Sequence, residues 1–338
     1  MKSVIIPQLT PQIKEAIDNS ERILLHCHPS PDPDSVGSSL AVYHALRGIG
    51  KEVVVIGGDS PKPENLSVLP GWAEIVDKNF GEMDLSQFDL FIILDSGAPV
   101  MVTRLQEVVF PDHLKTIVID HHATNTGYGQ INLIEPGYPA TAQVLYDLFE
   151  ELQINITPDI AICLLVGMYY DTGGFRFRAT TSRTFEIAAK LVEIYPDFTA
   201  IISAISDQLE PEQLYFKAMA FEHIELFGHD QVAIISIPYS LLKQHEIKEE
   251  NIKNQGLPNT LITVKGWNIG ISIIEKEEGF NRISFRVKER SGFDVSKIAS
   301  LLGGGGHKPA AGALIQGTNE EAKQKVVEAI YTVYPELR

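Results

Sequence analysis

Residues 22–50 read RILLHCHPSPDPDSVGSSLAVYHALRGIG. The opening RILLHCH is an apolar run of strand length. The closing SVGSSLAVYHALRGIG has helical spacing and stops at glycine. Between them, residues 26–34 hold two histidines and two aspartates, a density that neither a core nor a helix requires. Pro33 pushes Asp32 away from the helical region and Pro31 is locked in φ, so this joint is expected to be extended. Residues two apart in an extended chain project to one side, which would bring the carboxylates of Asp32 and Asp34 together. Such a pair repels unless a cation lies between. The plainer alternative is a loop in which Asp34 caps a helix starting at Ser35. It accounts for one aspartate but not for the pair beside His28.

Working outward, EVVVIGG (52–58), FDLFIILDSG (88–97) and KTIVIDHH (115–122) are further continuous apolar runs. Runs of this kind suit parallel strands covered on both faces. TAQVLYDLFEEL (141–152) and PDIAICLLVGMYYDTGGF (158–175) read as helices, the second opened by Pro158 and stopped near Gly173. The spacing stays helical through about residue 220. Beyond it, FEHIELFGHDQVAIISIP reads as two strands about a His-Asp turn, and WNIGISIIEKEEGFNRISFRVKER as a hairpin about Glu-Gly. A helix, four glycines (303–306) and a terminal helix from about 318 follow. The expected fold is α/β. An N-terminal, mostly parallel sheet with helices on both faces (residues 1–190) is followed by a helical linker (191–220) and a smaller α+β domain (221–338). The active site is expected in the cleft between the domains.

In open parallel sheets, ligands collect beyond the carboxyl ends of the strands. The first run ends at His28, the third at Asp95 and the fourth at Asp120-His121-His122. A single aspartate after a strand is usually a cap or turn residue, but three strand ends carrying Asp or His weaken that account. His26 lies about 7 Å deeper in the sheet than His28 by strand rise, so His28 is the expected ligand and His26 a packing or supporting residue. Asp171 ends an apolar helix, where the helix dipole disfavours an acid.

The net charge of -16 argues against duplex nucleic acid as a partner. The two cysteines, Cys27 and Cys163, lie in apolar stretches and read as buried thiols. The N-terminus lacks a signal-peptide layout, and the longest apolar run is too short for a bilayer. A cytoplasmic protein with no membrane partner is expected.

HPSPDPDSVGS, LDSG, DHH, DTGGF and GGGGHKPAAG, in this order, resemble the motifs of the DHH phosphoesterase superfamily. The likeness is closest to its stand-alone members that degrade very short RNAs and dephosphorylate 3′-phosphoadenosine 5′-phosphate (pAp). The resemblance spans residues 28–312 and implies two Mn²⁺ ions, with Mg²⁺ or Co²⁺ as substitutes. It implies that His28 and Asp32 hold one ion and Asp34, His121 and Asp171 the other, with Asp95 bridging. A hydroxide between the ions would attack phosphorus. His122 would contact the substrate near the scissile phosphate, and Asp120 would orient a histidine. From the C-terminal domain, Arg286 would bind a terminal phosphate, helped by the backbone of Gly304, Gly305 and Gly306 and by His307. Lys288, Arg290 and Lys308 add charge nearby. Tyr128 and Tyr138 are expected to pack rather than to stack on a base.

The implied substrates are short single-stranded RNAs, nucleotides and pAp. Pyrophosphatase or exopolyphosphatase chemistry and linear-dinucleotide hydrolysis are the alternatives within the superfamily. The late Arg-Lys-Lys cluster of its pyrophosphatases is not found here. A non-catalytic nucleotide-binding module is the alternative outside it, and the complete ligand set speaks against that. A homodimer is compatible with the sequence but not indicated by it.

Overall fold

A computed structural model of the chain describes residues 3–206, 209–252, 256–288 and 290–338. The chain forms two compact units, Met1–Gln208 and Leu209–Arg338.

The first unit contains α1 (Ile5–Asp18), β1 (Arg22–His26), α2 (Pro33–Gly48), β2 (Glu52–Ile56), β3 (Ile75–Val76), β4 (Leu90–Leu94), β5 (Lys115–Asp120) and β6 (Ile131–Ile134). The helices α3 (Thr141–Glu151), α4 (Pro158–Asp171), α5 (Ser182–Ile194) and α6 (Phe198–Ser206) follow. Its six strands are all parallel, in the order β3-β2-β1-β4-β5-β6. Period-two alternation splits β1, β2, β4 and β5 between two cores. Ile23, Leu25, Leu90, Ile92, Ile117 and Ile119 face the α-helices. Leu24, Ile56, Phe91, Ile93 and Val118 face a second core that includes Phe80 and Phe88. The helices expected on both faces are thus unequal: α-helices cover one face, while short 3-10 turns and loops cover the other. The strand order reverses between β1 and β4, so the segments after these two strands flank the crevice where parallel sheets bind ligands.

Close helix packing shapes the same region. A Cβ on Gly37 of α2 would lie 2.5 Å from the Cys163 carbonyl oxygen of α4. One on Gly167 of α4 would lie 2.6 Å from Asp34 Oδ1. Both cysteines are buried and unpaired by disulfides.

The second unit contains α7 (Pro211–Glu222), β7 (Ile224–Phe227), β8 (Val232–Ile237), α8 (Tyr239–Gln244), α9 (Glu249–Ile252), α10 (Leu257–Leu261), β9 (Ile269–Glu277) and β10 (Phe280–Val287). It ends with α11 (Val295–Leu301), β11 (Gly305–His307), β12 (Ala310–Gln316) and α12 (Asn319–Val333). The sheet runs β11-β12-β10-β9-β8-β7, with only β8 and β9 parallel. Its His-Asp and Glu-Gly turns stand where the sequence suggests, with His229, Asp230 and Gly279 at positive φ. The glycine run is not a free loop, because Gly305–His307 pair with Gly312–Ala310 as an edge strand. A Cβ on Gly304 would collide with the Gly312 carbonyl oxygen. Among the described residues, no helix is long and apolar enough to cross a membrane.

Candidate metal centre

The joint between β1 and α2 differs from its extended reading. Asp32 is extended (φ -107°, ψ 178°), but Pro33 opens the helix, so Asp34 sits in the first turn. Proline fits there because its missing N–H would have no helical partner. Asp32, not Asp34, is the cap: its Oδ1 accepts from the N–H groups of Asp34 (3.0 Å) and Ser35 (2.9 Å). Its Oδ2 is left 3.5 Å from His28 Nε2. The two carboxylates therefore reach the crevice by different routes, one from the cap and one from the helix.

Asp34 is buried and spans to another helix. Its Oδ2 accepts from Thr141 N (2.7 Å) and its Oδ1 from Ala142 N (3.0 Å). These are orphan donors of the α3 N-terminus, which has no side-chain cap of its own. Thr141 also donates its hydroxyl to Asp95 Oδ1 at 2.9 Å. Asp95, 3% exposed, follows β4 with φ of +51°, a left-handed conformation uncommon outside glycine. Its oxygens lie 3.8 Å from His28 Nε2, 3.6 Å from His121 Nε2 and 3.8 Å from His122 Nδ1.

His121 Nδ1 lies 3.2 Å from the Tyr138 carbonyl. Donation there leaves Nε2 facing Asp95 and, at 3.1 Å, Asp171 Oδ2, the orientation expected of a metal-binding imidazole. His122 turns the other way. Its Nδ1 is 2.8 Å from Asp120 Oδ1, while Asn125 donates to Asp120 Oδ2 at 2.8 Å. Three groups have ligand atoms mutually within 4.8 Å: His28-Asp32-Asp95, Asp34-His121-Asp171 and Asp95-His121-His122. All six expected ligands, with His122, thus fall in one connected cluster. His26 stays outside it, buried edge-on against Phe91, with Nδ1 3.1 Å from the Cys27 carbonyl. Sequence reading missed Thr141 and Asn125. Thr141 at the start of an uncapped helix was the available signal.

The electrostatics suit cations. Burial, reinforced by neighbouring aspartates, raises the carboxyl pKa values of Asp34 and Asp95. Burial works against a charged His121, yet Asp171, Asp34 and Asp95 outweigh it and raise its pKa. Carboxylates that cannot all ionise in a buried space are what a dication relieves. The donor set is oxygen and imidazole nitrogen without thiolate, which suits hard or borderline dications. Burial opposes ionisation of Asp120, but hydrogen bonds from His122 and Asn125 outweigh it and hold its carboxyl below the usual range.

In the second unit, Arg286 pairs across the sheet with Ala310, and His307 pairs with Ala310 from the other side. Cross-strand partners share a face, so both side chains flank one small residue. Arg286 bonds the Phe285 carbonyl and makes no ion pair among the described residues. Gly305 and Gly306 belong to the edge strand, and Gly304 precedes it. Tyr128 and Tyr138 donate their hydroxyls to Ser96 O and Asp147 Oδ2, so both pack.

Residues 22–168 match the model of the DHH family, N-terminal domain, and residues 228–334 that of the DHHA1 domain. The bifunctional oligoribonuclease and PAP phosphatase NrnA of Thermus thermophilus is 30% identical over 325 residues, covering 96% of this chain and 93% of that protein. The probable bifunctional oligoribonuclease and PAP phosphatase NrnA of Streptococcus mutans is 27% identical, covering 87% and 89%. In fold, the chain resembles the crystal structure of an exopolyphosphatase-related protein from Bacteroides fragilis, with a TM-score of 0.91 and 23% identity over 100% of this chain and 99% of that one. The chain belongs to the DHH family of phosphoesterases and carries a DHHA1 domain after its DHH domain.

Proposed function

We propose that the protein is a Mn²⁺-dependent phosphoesterase that hydrolyses short oligoribonucleotides and pAp. The observation that carries this reading is the convergence of His28, Asp32, Asp34, Asp95, His121 and Asp171 in a chain similar along most of its length to proteins named oligoribonuclease and PAP phosphatase.

His28 and Asp32 would hold one ion, Asp34, His121 and Asp171 the other, and Asp95 would serve both. Two dications held there would supply charge for the phosphoryl oxygens and an activated water. Thr141 fixes the Asp95 carboxylate, and the α3 N-terminus fixes that of Asp34. Asp120 accepts from His122 Nδ1 and so orients the ring, which leaves its Nε2 for a phosphate oxygen of the substrate. Arg286 presents a planar fork to a terminal phosphate. Its guanidinium is partly desolvated, with no carboxylate among the described residues to offset that, so an anion is its natural partner. His307 and the N–H groups of the glycine edge strand join it.

A panel of a two-nucleotide RNA, a thirty-nucleotide RNA, pAp, a linear dinucleotide and pyrophosphate, assayed with Mn²⁺ and with a chelator, tests the reading. Faster cleavage of the two-nucleotide RNA than of the long one, turnover of pAp, and loss of both with chelator are expected. Preference for pyrophosphate over every nucleotide would overturn it.

A further inference from the structure

The cluster ends at Asp171, and the chain leaves it through FRFR, residues 175–178. Gly173, Gly174 and Phe175 all have positive φ, at 60°, 68° and 63°. For a phenylalanine this is a genuine outlier, and such strain persists only where the surroundings fix it. They do so here: the Phe175 ring packs on Tyr169 and Phe185, with centroids 5.7 and 5.4 Å away. The turn folds back on the end of α4, because the N–H groups of Arg176 and Phe177 both donate to Thr172 O at 2.9 Å. The backbone of Arg176 and Phe177 is therefore tied to Thr172, the residue after Asp171, and Arg176, Phe177 and Arg178 are all exposed.

Phe177 is 55% exposed. Its ring occupies the space a Cβ on Gly173 would need, so one side rests on backbone while much of the ring stays open. Arg176 spends only Nε, on Gly173 O at 2.7 Å, and Arg178 has no partner among the described residues. Neither arginine makes an ion pair among them, in a chain of net charge -16. An open aromatic ring between two guanidinium groups without ion pairs among the described residues is a combination that binds single-stranded nucleic acid: the base stacks and the cations take the backbone.

We propose that Phe177, with Arg176 and Arg178, forms a stacking subsite for a second nucleotide of the short-RNA substrate. This rests on the reading of the protein as a short-RNA and pAp hydrolase. It separates the two substrates, because pAp carries a single nucleoside between its phosphates and has no second base to stack.

The test compares wild type, F177A and F177W on a two-nucleotide RNA and on pAp. In parallel, binding of the two-nucleotide RNA to the full chain is measured without metal. Loss of one stacked base corresponds to roughly 5- to 100-fold. F177A should lose that much kcat/KM on the RNA, at least about fivefold more than on pAp, and should bind the RNA correspondingly more weakly. F177W should restore both, and its added tryptophan emission should be quenched by the RNA more than by pAp. R178A should weaken RNA binding and flatten its salt dependence. Equal losses on both substrates, or wild-type RNA binding by F177A, would overturn the subsite. If wild type turned over neither substrate, the functional reading would fall, while the metal-free binding comparison would still decide the subsite.

Discussion

At the scale of single residues, the two histidines of HCH illustrate how position separates like side chains. His28 Nε2 faces two carboxylates, whereas His26 is fully buried and burial pushes its pKa down to about 3. His28→Ala should weaken Mn²⁺ binding in a metal titration. His26→Ala should leave that affinity nearly intact and instead lower stability by about 2 kcal/mol, as a cavity does, measured by chemical denaturation. Equal metal loss from both variants would refute the distinction. Thr141 supplies a second case. Thr141→Val keeps the shape but removes the hydroxyl that fixes Asp95, and a group of that kind is worth roughly 10- to 100-fold in metal affinity or activity. A variant matching wild type in metal titration and turnover would remove Thr141 from the centre. The clustering of these side chains could be read from the sequence because strand ends in a parallel sheet share an edge. Thr141 is signalled only as the start of an uncapped helix and its role is not, since its partners lie 107 residues (Asp34) and 46 residues (Asp95) away in the chain.

Among the elements, the readable ones carry one uninterrupted signal. The strands β1, β2, β4 and β5 are continuous apolar runs, and α4 announces itself with Pro158. The two-residue β3 is too short for any period, and α1 contains Pro11 well inside its span, where proline usually argues against a helix. The glycine run misleads differently: glycine suggests a flexible loop, but Gly304 and Gly306 lack side chains because the neighbouring β12 backbone leaves no room. The contact between α2 and α4 is also set by glycine. Gly167→Ala would place a methyl group 2.6 Å from Asp34 Oδ1 and 2.8 Å from Ala142 Cβ. It should cost about 1–3 kcal/mol by overpacking and also weaken metal binding, since the displaced group is a proposed ligand. A denaturation midpoint and a metal titration on the same variant check both. A stability loss with unchanged metal affinity would mean that α4 yields instead of Asp34.

For the whole molecule, the aspartate-histidine cluster links stability to pH. Without metal, Asp34 has its pKa raised from 3.8 to about 7 by burial and by Asp171. A folded-state pKa above the unfolded one means that the native state holds the proton more tightly. The associated stability is present below about pH 4 and lost as pH rises through 7. His121, raised from 6.5 to about 10 by Asp171, Asp34 and Asp95 against the opposing effect of burial, acts in the same direction at higher pH. Burial and Asp34 likewise raise Asp95. The metal-free chain should therefore lose stability from this cluster between about pH 4 and 10. Bound dications favour the ionised carboxylates and the neutral imidazole, so their affinity should rise over that interval. At 100 times its dissociation constant a ligand adds about 2.7 kcal/mol, and each kcal/mol raises Tm by about 2–4 °C for a domain of this size. Thermal melts with Mn²⁺ and with chelator should then differ by several degrees at pH 8 and by clearly less at pH 6. The Asp95→Ala variant should show little difference at either pH, because it lacks the carboxylate shared by both ligand groups. A metal-induced shift equally large at pH 6 and pH 8, or one that survives Asp95→Ala intact, would place the stabilising ions somewhere other than this cluster.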